Sequence, residues 1–303
     1  MTTWLPTASD PLLILAADHR ESYEKLFPPS HGDRTPELGK QLIYRGLRQA
    51  RDAVTAGRSG ILVDQQFGVA VIAAAVDDGV ELAVPLEKSG QDWFETLAGD
   101  DWLANFRSTG ASFAKVLVRD NPDFDDADRQ GQFTRLAAVS SGLRDAGIPL
   151  IFELLVPATE AQKAGVDGDD ARYDAEVRAG LVATVITQNL DHGVRPELWK
   201  VEGLESEGDA RRVVAADADA RFIVLGRDAP PDRLEHWLEV AHAVDGFVGF
   251  AIGRSIWEDA IVAWATGRTD DDAAVAAIAG NYRRYASDWL AAGPVSAGTP
   301  GTR

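Results

Sequence analysis

Three charged side chains lie within short apolar segments, and their chemical types fit covalent catalysis by an amine. Lys115 lies in FAKVLV, Glu153 in LIFELLV and Lys200 in LWKVE. An amine attacks a carbonyl carbon only when it is neutral, and the ordinary lysine pKa of about 10.4 is too high for that. Desolvation and a second ammonium group both lower the pKa of a lysine, and a nearby carboxyl group can carry the proton transfers. These residue types therefore predict a Schiff-base site.

The three residues act together only if their strands are neighbours, which lie about 4.8 Å apart in a sheet. A buried lysine–glutamate ion pair that fixes the strand register is the alternative, because an unpaired charge in an apolar strand is costly. Periodicity does not distinguish the two lysines. We choose Lys200 as the nucleophile because Trp199 and Val201 flank it and favour desolvation, and Lys115 is then the second cation.

Two glycine–arginine pairs, Gly226-Arg227 and Gly253-Arg254, follow the last two predicted strands. Glycine permits a close backbone approach, and arginine offers a forked donor to an anion. Barrel enzymes often bind phosphate in the loops after their seventh and eighth strands. The pairs therefore predict a site for a phosphate, sulfonate or carboxylate group. Surface arginines paired with the many carboxylates are the alternative.

Four further polar residues end predicted strands and are candidates for catalysis or substrate binding. Asp18 and His19 follow the first strand, Asp64 is the last residue of the second, and Gln65 follows it. A loop hydrogen bond is an equal alternative for His19. No two of the five histidines have the spacing of metal ligands and the chain has no cysteine, so we expect neither a metal site nor another cofactor.

The segments that position these residues alternate between short β-rich runs and longer amphipathic stretches. Eight strands alternating with eight helices predict an α/β fold, a single (β/α)8 TIM barrel, with its chemistry at the C-terminal ends of the strands. A doubly wound open sheet is the alternative, but it usually has a glycine-rich turn after its first strand, where this chain has ADHR. The predicted strands are 12–17, 60–64, 80–85, 113–118, 149–156, 198–202, 221–225 and 246–252. The predicted helices are 35–56, 68–78, 92–108, 128–146, 170–190, 205–216, 231–244 and 257–291.

The 303 residues include 48 acidic and 30 basic side chains, which give a formal net charge of −18. Such a chain repels nucleic acid and anionic membranes, so neither is a predicted partner. There is no secretory signal pattern and no apolar run of about 18 residues, so we expect a cytoplasmic protein. We expect one domain over residues 1–292 and a disordered tail over 293–303. The oligomeric state stays open, with a homo-oligomer among the alternatives.

Five short motifs keep the order and strand placement of one known superfamily. They are AADHR (16–20), AKVLV (114–118), FELL (152–155), LWKVE (198–202) and GFAIGRSIW (249–257). Together they resemble the class I aldolases that include tagatose 1,6-bisphosphate aldolase. The sequence is most similar to the aldolase-like domain associated with the sugar kinase of myo-inositol catabolism, and the resemblance spans nearly the whole barrel.

The resemblance implies a metal-independent mechanism in which Lys200 carries the imine, Glu153 acts as acid and base, and Lys115 holds the substrate and tunes Lys200. It also implies that Asp18 orients a substrate hydroxyl. A phosphate cradle is implied at Gly226, Gly253 and Arg254. The chain departs from the tagatose-type pattern at two places: it has His19 in place of a glutamine, and GRD at 226–228 in place of a Ser/Ala/Gly-rich loop.

The favoured function is a class I lyase that cleaves 2-deoxy-5-keto-gluconate 6-phosphate into dihydroxyacetone phosphate and malonate semialdehyde. A tagatose-bisphosphate-like aldolase and a sulfo-sugar aldolase or transaldolase use the same imine chemistry and stay open. A non-catalytic barrel that binds a sugar phosphate or partners a kinase is the alternative from another class. An isomerase or epimerase that uses Glu153 without an imine is the third.

Overall fold

Eight parallel strands close into a barrel in the computed structural model, which describes residues 4–28, 32–52, 54 and 57–292. The strands are β1 (Leu12–Ala17), β2 (Arg58–Val63), β3 (Glu81–Pro85), β4 (Phe113–Arg119), β5 (Leu150–Leu155), β6 (Leu198–Glu202), β7 (Arg221–Leu225) and β8 (Phe247–Ile252). Each strand pairs with the next one along the chain, and β8 pairs with β1. The predicted (β/α)8 fold is confirmed, and β1, β6 and β7 have the predicted bounds.

Helices form the outer layer of the barrel. They are α1 (Glu21–Glu24), α2 (Pro36–Arg51), α3 (Val69–Asp77), α4 (Trp102–Thr109), α5 (Asp126–Asp145), α6 (Glu160–Gly165), α7 (Asp170–Tyr173), α8 (Ala179–Asp191), α9 (Glu207–Ala215), α10 (Pro231–His242), α11 (Arg254–Ala265) and α12 (Asp271–Ala291). A 3-10 turn, Gly99–Asp101, precedes α4, and a π-helical segment, Asp174–Arg178, joins α7 to α8.

The extent of one predicted helix, 92–108, is wrong. It is α-helical only from residue 102, after the 3-10 turn, because the chain between β3 and that turn first folds back on itself. Lys88 N donates to Glu95 O at 2.9 Å, and Leu97 N donates to Leu86 O at 2.7 Å. These cross-loop bonds satisfy backbone groups that a helix would have paired locally.

The predicted helix 257–291 is also wrong, because this segment forms the two helices α11 and α12. Gly267 follows the end of α11 with a φ of 77°, a left-handed conformation that favours glycine. The side chain of Asp270 then accepts a hydrogen bond from Ala273 N at 2.9 Å and caps the start of α12.

Successive side chains of a strand point to opposite faces, which divides the core into two apolar layers. The larger layer packs between the strands and the helices, and a smaller cluster fills the inside of the barrel. The inner cluster includes Phe113, Ile151 and Leu198. Two residues further along the same strands, the inward face carries the charged side chains Lys115, Glu153 and Lys200. The charged groups therefore lie above an apolar floor.

Across the described ranges, no helix is long and apolar enough to cross a membrane. The tail predicted over 293–303 lies outside the described residues.

Candidate active site

One carboxylate joins two ammonium groups inside the barrel. Glu153 Oε2 lies 2.7 Å from Lys115 Nζ, and Glu153 Oε1 lies 2.7 Å from Lys200 Nζ. Glu153 and Lys200 are register partners on β5 and β6, so adjacent strands position them side by side. All three residues are buried. The structure thus brings together the three charged residues that the sequence singled out.

Lys115 contacts two more carboxylates. Its Nζ donates hydrogen bonds to Asp18 Oδ2 at 2.8 Å and to Glu87 Oε1 at 2.9 Å. Asp18 ends β1, as predicted, whereas sequence reasoning missed Glu87, which lies in the loop after β3. The available signal was its position two residues after the strand, where barrel loops carry functional groups. Arg20 supports Glu87, because its guanidinium donates to the Glu87 carbonyl at 2.8 Å.

These contacts set the charge states of the cluster. Burial by itself lowers the pKa of Lys115, but Asp18, Glu153 and Glu87 outweigh it and raise the pKa above the ordinary lysine value. Burial raises the pKa of Asp18, and the ammonium groups of Lys115 and Lys200 outweigh that effect and hold it far below its usual range. The same balance, led by Lys115, lowers the pKa of Glu153. Lys115 therefore stays a cation and both carboxyl groups stay ionised at neutral pH.

The two lysines differ in their surroundings. Lys115 has three carboxylate partners, whereas among the described residues Lys200 pairs only with Glu153. A cation held by three carboxylates is a poor nucleophile, because its proton must leave against all three. The geometry favours Lys200 over Lys115 as the amine that reacts.

His19 lies between this cluster and the end of β8. Burial lowers the pKa of His19 to about 4, against the opposing effect of Asp18. The imidazole packs edge to face on Trp257, with ring centroids 5.6 Å apart. Its Nδ1 is buried without a hydrogen-bond partner among the described residues. A neutral imidazole with one unsatisfied nitrogen can bind a substrate hydroxyl.

Asp64, which the sequence analysis predicts to contact substrate, forms a buried ion pair with a lysine. Asp64 is fully buried; its Oδ2 lies 2.9 Å from Lys40 Nζ, and its Oδ1 accepts hydrogen bonds from Gln66 N and Phe67 N, each at 2.8 Å. Lys40, which sequence reasoning missed, also donates to the backbone carbonyl of His19 at 2.8 Å. The buried pair therefore supports the turn after β2 and the end of β1 rather than facing a ligand.

The structure does not bring Gln65 to the inside of the barrel either. Its amide donates to Asn105 Oδ1 on α4 at 2.9 Å, in the outer helical layer. Residues 64 and 65 are adjacent in the chain, so their side chains leave the end of β2 on opposite faces. The side chain of Gln65 is the one on the helical side.

Arg227, which the sequence analysis predicts to bind substrate, lies in a separate ion-pair cluster. Its Nη1 lies 2.9 Å from Glu202 Oε1, and its Nη2 contacts Asp174. Asp174 is also paired with Arg178 and Arg233. This arginine neutralises buried carboxylates and is not free to hold an anion.

The second glycine–arginine pair lies at the start of a helix. Helix α11 begins at Arg254, directly after Gly253. Ile256 N donates to Gly253 O at 2.8 Å, so the amides of Arg254 and Ser255 are the ones without a partner within the helix. A Cβ on Gly253 would lie 2.6 Å from the Ala16 carbonyl oxygen, so only glycine fits this close approach to β1. At Gly226 a Cβ would meet only ordinary contacts, from 3.4 Å. The carboxylate of Asp228 lies 3.2 Å from Arg254 Nη1 and neutralises that guanidinium.

A cavity of about 410 Å³ opens above the charged cluster. Its wall includes Asp18, Glu87, Lys115 and Glu153, together with the loop 88–95. Lys200 does not line the cavity. Its Nζ contacts Glu153, which does. No group of acidic or histidine side chains that could hold a metal ion occurs within the described residues.

Residues 1–293 match the family described as "Uncharacterized protein conserved in bacteria (DUF2090)". No curated protein is significantly similar to the chain. Several solved structures have the same fold.

A Schiff-base-forming fructose-1,6-bisphosphate aldolase, solved with reaction intermediates, has a TM-score of 0.57 and 17% identity, covering 92% of this chain and 94% of that chain. An archaeal fructose-1,6-bisphosphate aldolase, with its catalytic lysine bound to the carbinolamine intermediate, has a TM-score of 0.59 and 16% identity, covering 93% of this chain and 94% of that chain. The fructose-bisphosphate aldolase of Slackia heliotrinireducens has a TM-score of 0.55 and 15% identity, covering 90% and 86%. At these identities the similarity shows the fold.

Proposed function

We propose that this chain, which belongs to the DUF2090 family, is a class I aldolase that works through an imine on Lys200. The observation that carries the proposal is the Glu153 carboxylate, which lies 2.7 Å from both Lys115 Nζ and Lys200 Nζ below an open cavity. The solved aldolases of the same fold, which form Schiff bases, support this chemistry.

Imine formation needs one proton acceptor beside the amine. Glu153 takes the proton that Lys200 loses when its Nζ attacks the ketone carbon, and gives a proton to the carbinolamine hydroxyl as it leaves as water. The product is an iminium ion. Lys115 stays cationic next to Glu153 and lowers the pKa of that carboxyl group, so Glu153 is in its ionised form when the substrate binds.

Carbon–carbon cleavage then uses the iminium ion as the electron sink. A base removes the proton of the hydroxyl on the β carbon, the bond between the α and β carbons breaks, and its electron pair forms an enamine on Lys200. The aldehyde product leaves. Protonation of the enamine at the α carbon and hydrolysis of the imine release the ketone and restore the amine. Asp18, which is ionised and 2.8 Å from Lys115 Nζ, orients the substrate hydroxyl, and Glu153 carries the proton.

The substrate carries a phosphate at the end nearest the imine. In this proposal the amides of Arg254 and Ser255 at the start of α11 bind the phosphate beside Gly253, and the ligand competes with Asp228 for the Arg254 side chain. We favour 2-deoxy-5-keto-gluconate 6-phosphate, cleaved to dihydroxyacetone phosphate and malonate semialdehyde, on the motif resemblance. Tagatose 1,6-bisphosphate and a sulfo-sugar phosphate are the competing substrates.

Borohydride trapping tests the proposal. Incubation with dihydroxyacetone phosphate and borohydride should add one reduced adduct to the wild type and to Lys163→Ala, which removes an exposed lysine on α6, and none to Lys200→Ala. The three proteins are compared by intact mass and by cleavage activity. The proposal is refuted if the wild type forms no adduct, or if Lys200→Ala keeps full cleavage activity.

A proton-transfer enzyme is the second candidate, because Glu153 lines the cavity and Lys200 does not. An isomerase or epimerase needs Glu153 as a base and only a positive charge at residue 200. Lys200→Arg therefore separates the two functions: an aldolase loses turnover, and an isomerase retains it.

A further inference from the structure

We propose that Lys40 is a positioning residue for carbon–carbon cleavage, because it holds the two backbone carbonyl groups on either side of Asp18. This role rests on the proposed aldolase function and deepens it. Lys40 lies on α2 in the outer layer and does not line the cavity, whereas Asp18 does. Lys40 therefore acts on the reaction only through the residues that it holds.

The Lys40 ammonium group has a complete set of partners. Its Nζ donates to the carbonyl oxygens of Ala17 and His19, the latter at 2.8 Å, and lies 2.9 Å from Asp64 Oδ2. Three oxygen atoms use all three donors of an ammonium group. The Tyr23 ring closes the fourth side, with its centroid 4.1 Å from Nζ. Because Lys40 is only 1% exposed, water is not available to replace these partners.

The neighbouring helix and turn fix Lys40 itself. Gly39 lets α2 pack closely on α1, since a Cβ at this position would overlap the hydroxyl group of Tyr23. The second oxygen of Asp64 accepts hydrogen bonds from two backbone amides of the following turn, which hold that carboxylate at the end of β2. The ammonium group is thus anchored to α2 and to the end of β2, and it fixes the end of β1 relative to both elements.

These bonds restrict the backbone at Asp18. Strand β1 ends at Ala17, so Asp18 and His19 lie beyond its pairing with β2. Peptide groups are planar, so only the φ and ψ angles of Asp18 and His19 are soft between the two carbonyl groups that Lys40 holds. Fixing both carbonyl groups fixes the direction in which the Asp18 side chain leaves the backbone. Its carboxylate then lies 2.8 Å from Lys115 Nζ.

Loss of this restraint frees the Asp18 carboxylate to move. It shares Lys115 with the carboxylates of Glu87 and Glu153, and like charges repel. Asp18 is the one of the three that orients the substrate hydroxyl for cleavage in the proposed mechanism. A displacement of about 1 Å of a positioned group can cost about 100-fold in rate.

The consequence is specific to one step of the reaction. Imine formation uses Lys200 and Glu153, which the register of β5 and β6 positions. Loss of the Lys40 bonds should therefore slow cleavage and leave imine formation unchanged. A purely structural role of Lys40 predicts a different result, because unfolding of part of the sample lowers both steps by the same factor.

Lys40→Met is compared with the wild type in two assays. Borohydride trapping with dihydroxyacetone phosphate measures imine formation, and cleavage of 2-deoxy-5-keto-gluconate 6-phosphate and of tagatose 1,6-bisphosphate measures the whole reaction. We expect kcat for cleavage to fall about 10- to 100-fold. The rate of trapping should stay within about 2-fold, the margin for sites that do not interact.

Two further variants separate the positioning role from a loss of stability. Lys40→Met/Asp64→Asn leaves no unpaired buried charge, so it should fold where Lys40→Met does not, and it should show the same loss of kcat. The matched control is Arg129→Met, which breaks a buried ion pair with Asp120 between α5 and the end of β4, outside the cavity wall. It should lower the free energy of unfolding but leave kcat of the folded enzyme within about 2-fold.

An Asp18→Asn background tests whether Lys40 acts through Asp18. There the added Lys40→Met substitution should lower kcat by no more than about 2-fold, because the residue that it positions is already altered. The role of Lys40 is refuted, and the aldolase stands, if kcat and trapping fall together, if neither changes, or if the Asp18→Asn background shows the full loss.

The wild type separates the two proposals. If it forms no adduct, the aldolase function fails and the role of Lys40 fails with it. An adduct without cleavage of either ketose phosphate also refutes the role of Lys40, because there is then no cleavage step for Asp18 to serve.

Discussion

Replacing Lys115 with methionine removes the charge that three buried carboxylates share. Lys115 Nζ lies 2.8 Å from Asp18, 2.9 Å from Glu87 and 2.7 Å from Glu153, and none of the four residues is more than 9% exposed. Methionine keeps the length of the side chain, so the loss is mainly electrostatic. Removing one partner of a buried ion pair costs about 3–5 kcal/mol, and we expect Lys115→Met to lower the free energy of unfolding by that amount near neutral pH.

The loss should depend on pH in a defined direction. The wild type holds the pKa values of Asp18 and Glu153 below their ordinary values, so these groups stabilise the fold above the unfolded-state values of about 3.9 and 4.3. That stability is lost as the pH falls through the lower, folded-state values. In Lys115→Met the ammonium is gone and the carboxyl groups protonate more readily. The difference between the two proteins is therefore largest near neutral pH and shrinks as the medium becomes acidic.

Urea unfolding of both proteins at neutral pH and at about pH 4 measures this difference. Lys163→Met, an exposed lysine on α6, is the control and should unfold like the wild type at both pH values. A difference below about 1 kcal/mol, or one that stays constant with pH, would refute the charge assignment of the cluster.

Three further substitutions test the rest of the site. Lys40→Met leaves the buried Asp64 carboxylate unpaired and should lower the free energy of unfolding by about 3–5 kcal/mol in urea melts, whereas an unchanged midpoint would contradict a structural role. Gly253→Ala puts a Cβ 2.6 Å from the Ala16 carbonyl oxygen, so KM for a phosphorylated ketone should rise about 10-fold or more, and an unchanged KM would remove Gly253 from the anion site. Arg227→Gln breaks ion pairs with Asp174 and Glu202, and thermal unfolding should show lower stability; a selective rise in KM without loss of stability would restore Arg227 as a ligand contact.

The barrel and the converging charges could be predicted because both follow from local periodicity. Alternating strands and helices define the parallel fold, and the period of two along a strand decides which residues face inward. Lys115, Glu153 and Lys200 each lie two residues after an inward-facing apolar residue on consecutive strands, so the fold brings them together.

The partners of these residues could not be predicted, because they come from segments without that periodicity. Glu87 lies in a loop and Lys40 on a helix, and each meets its partner across the fold. Arg227 has a φ of 41°, and its side chain pairs with Asp174, 53 positions earlier in the chain. Which carboxylate an arginine pairs with depends on loop conformation, and a glycine–arginine pair in the sequence carries no information about that.

The most direct measurement is peptide mapping of the protein after borohydride reduction in the presence of dihydroxyacetone phosphate. We predict a single modified peptide that contains Lys200, with Lys115 unmodified because its three carboxylate partners hold it as a cation. A modification at Lys115, or no modified lysine at all, would contradict the assignment of the reactive amine.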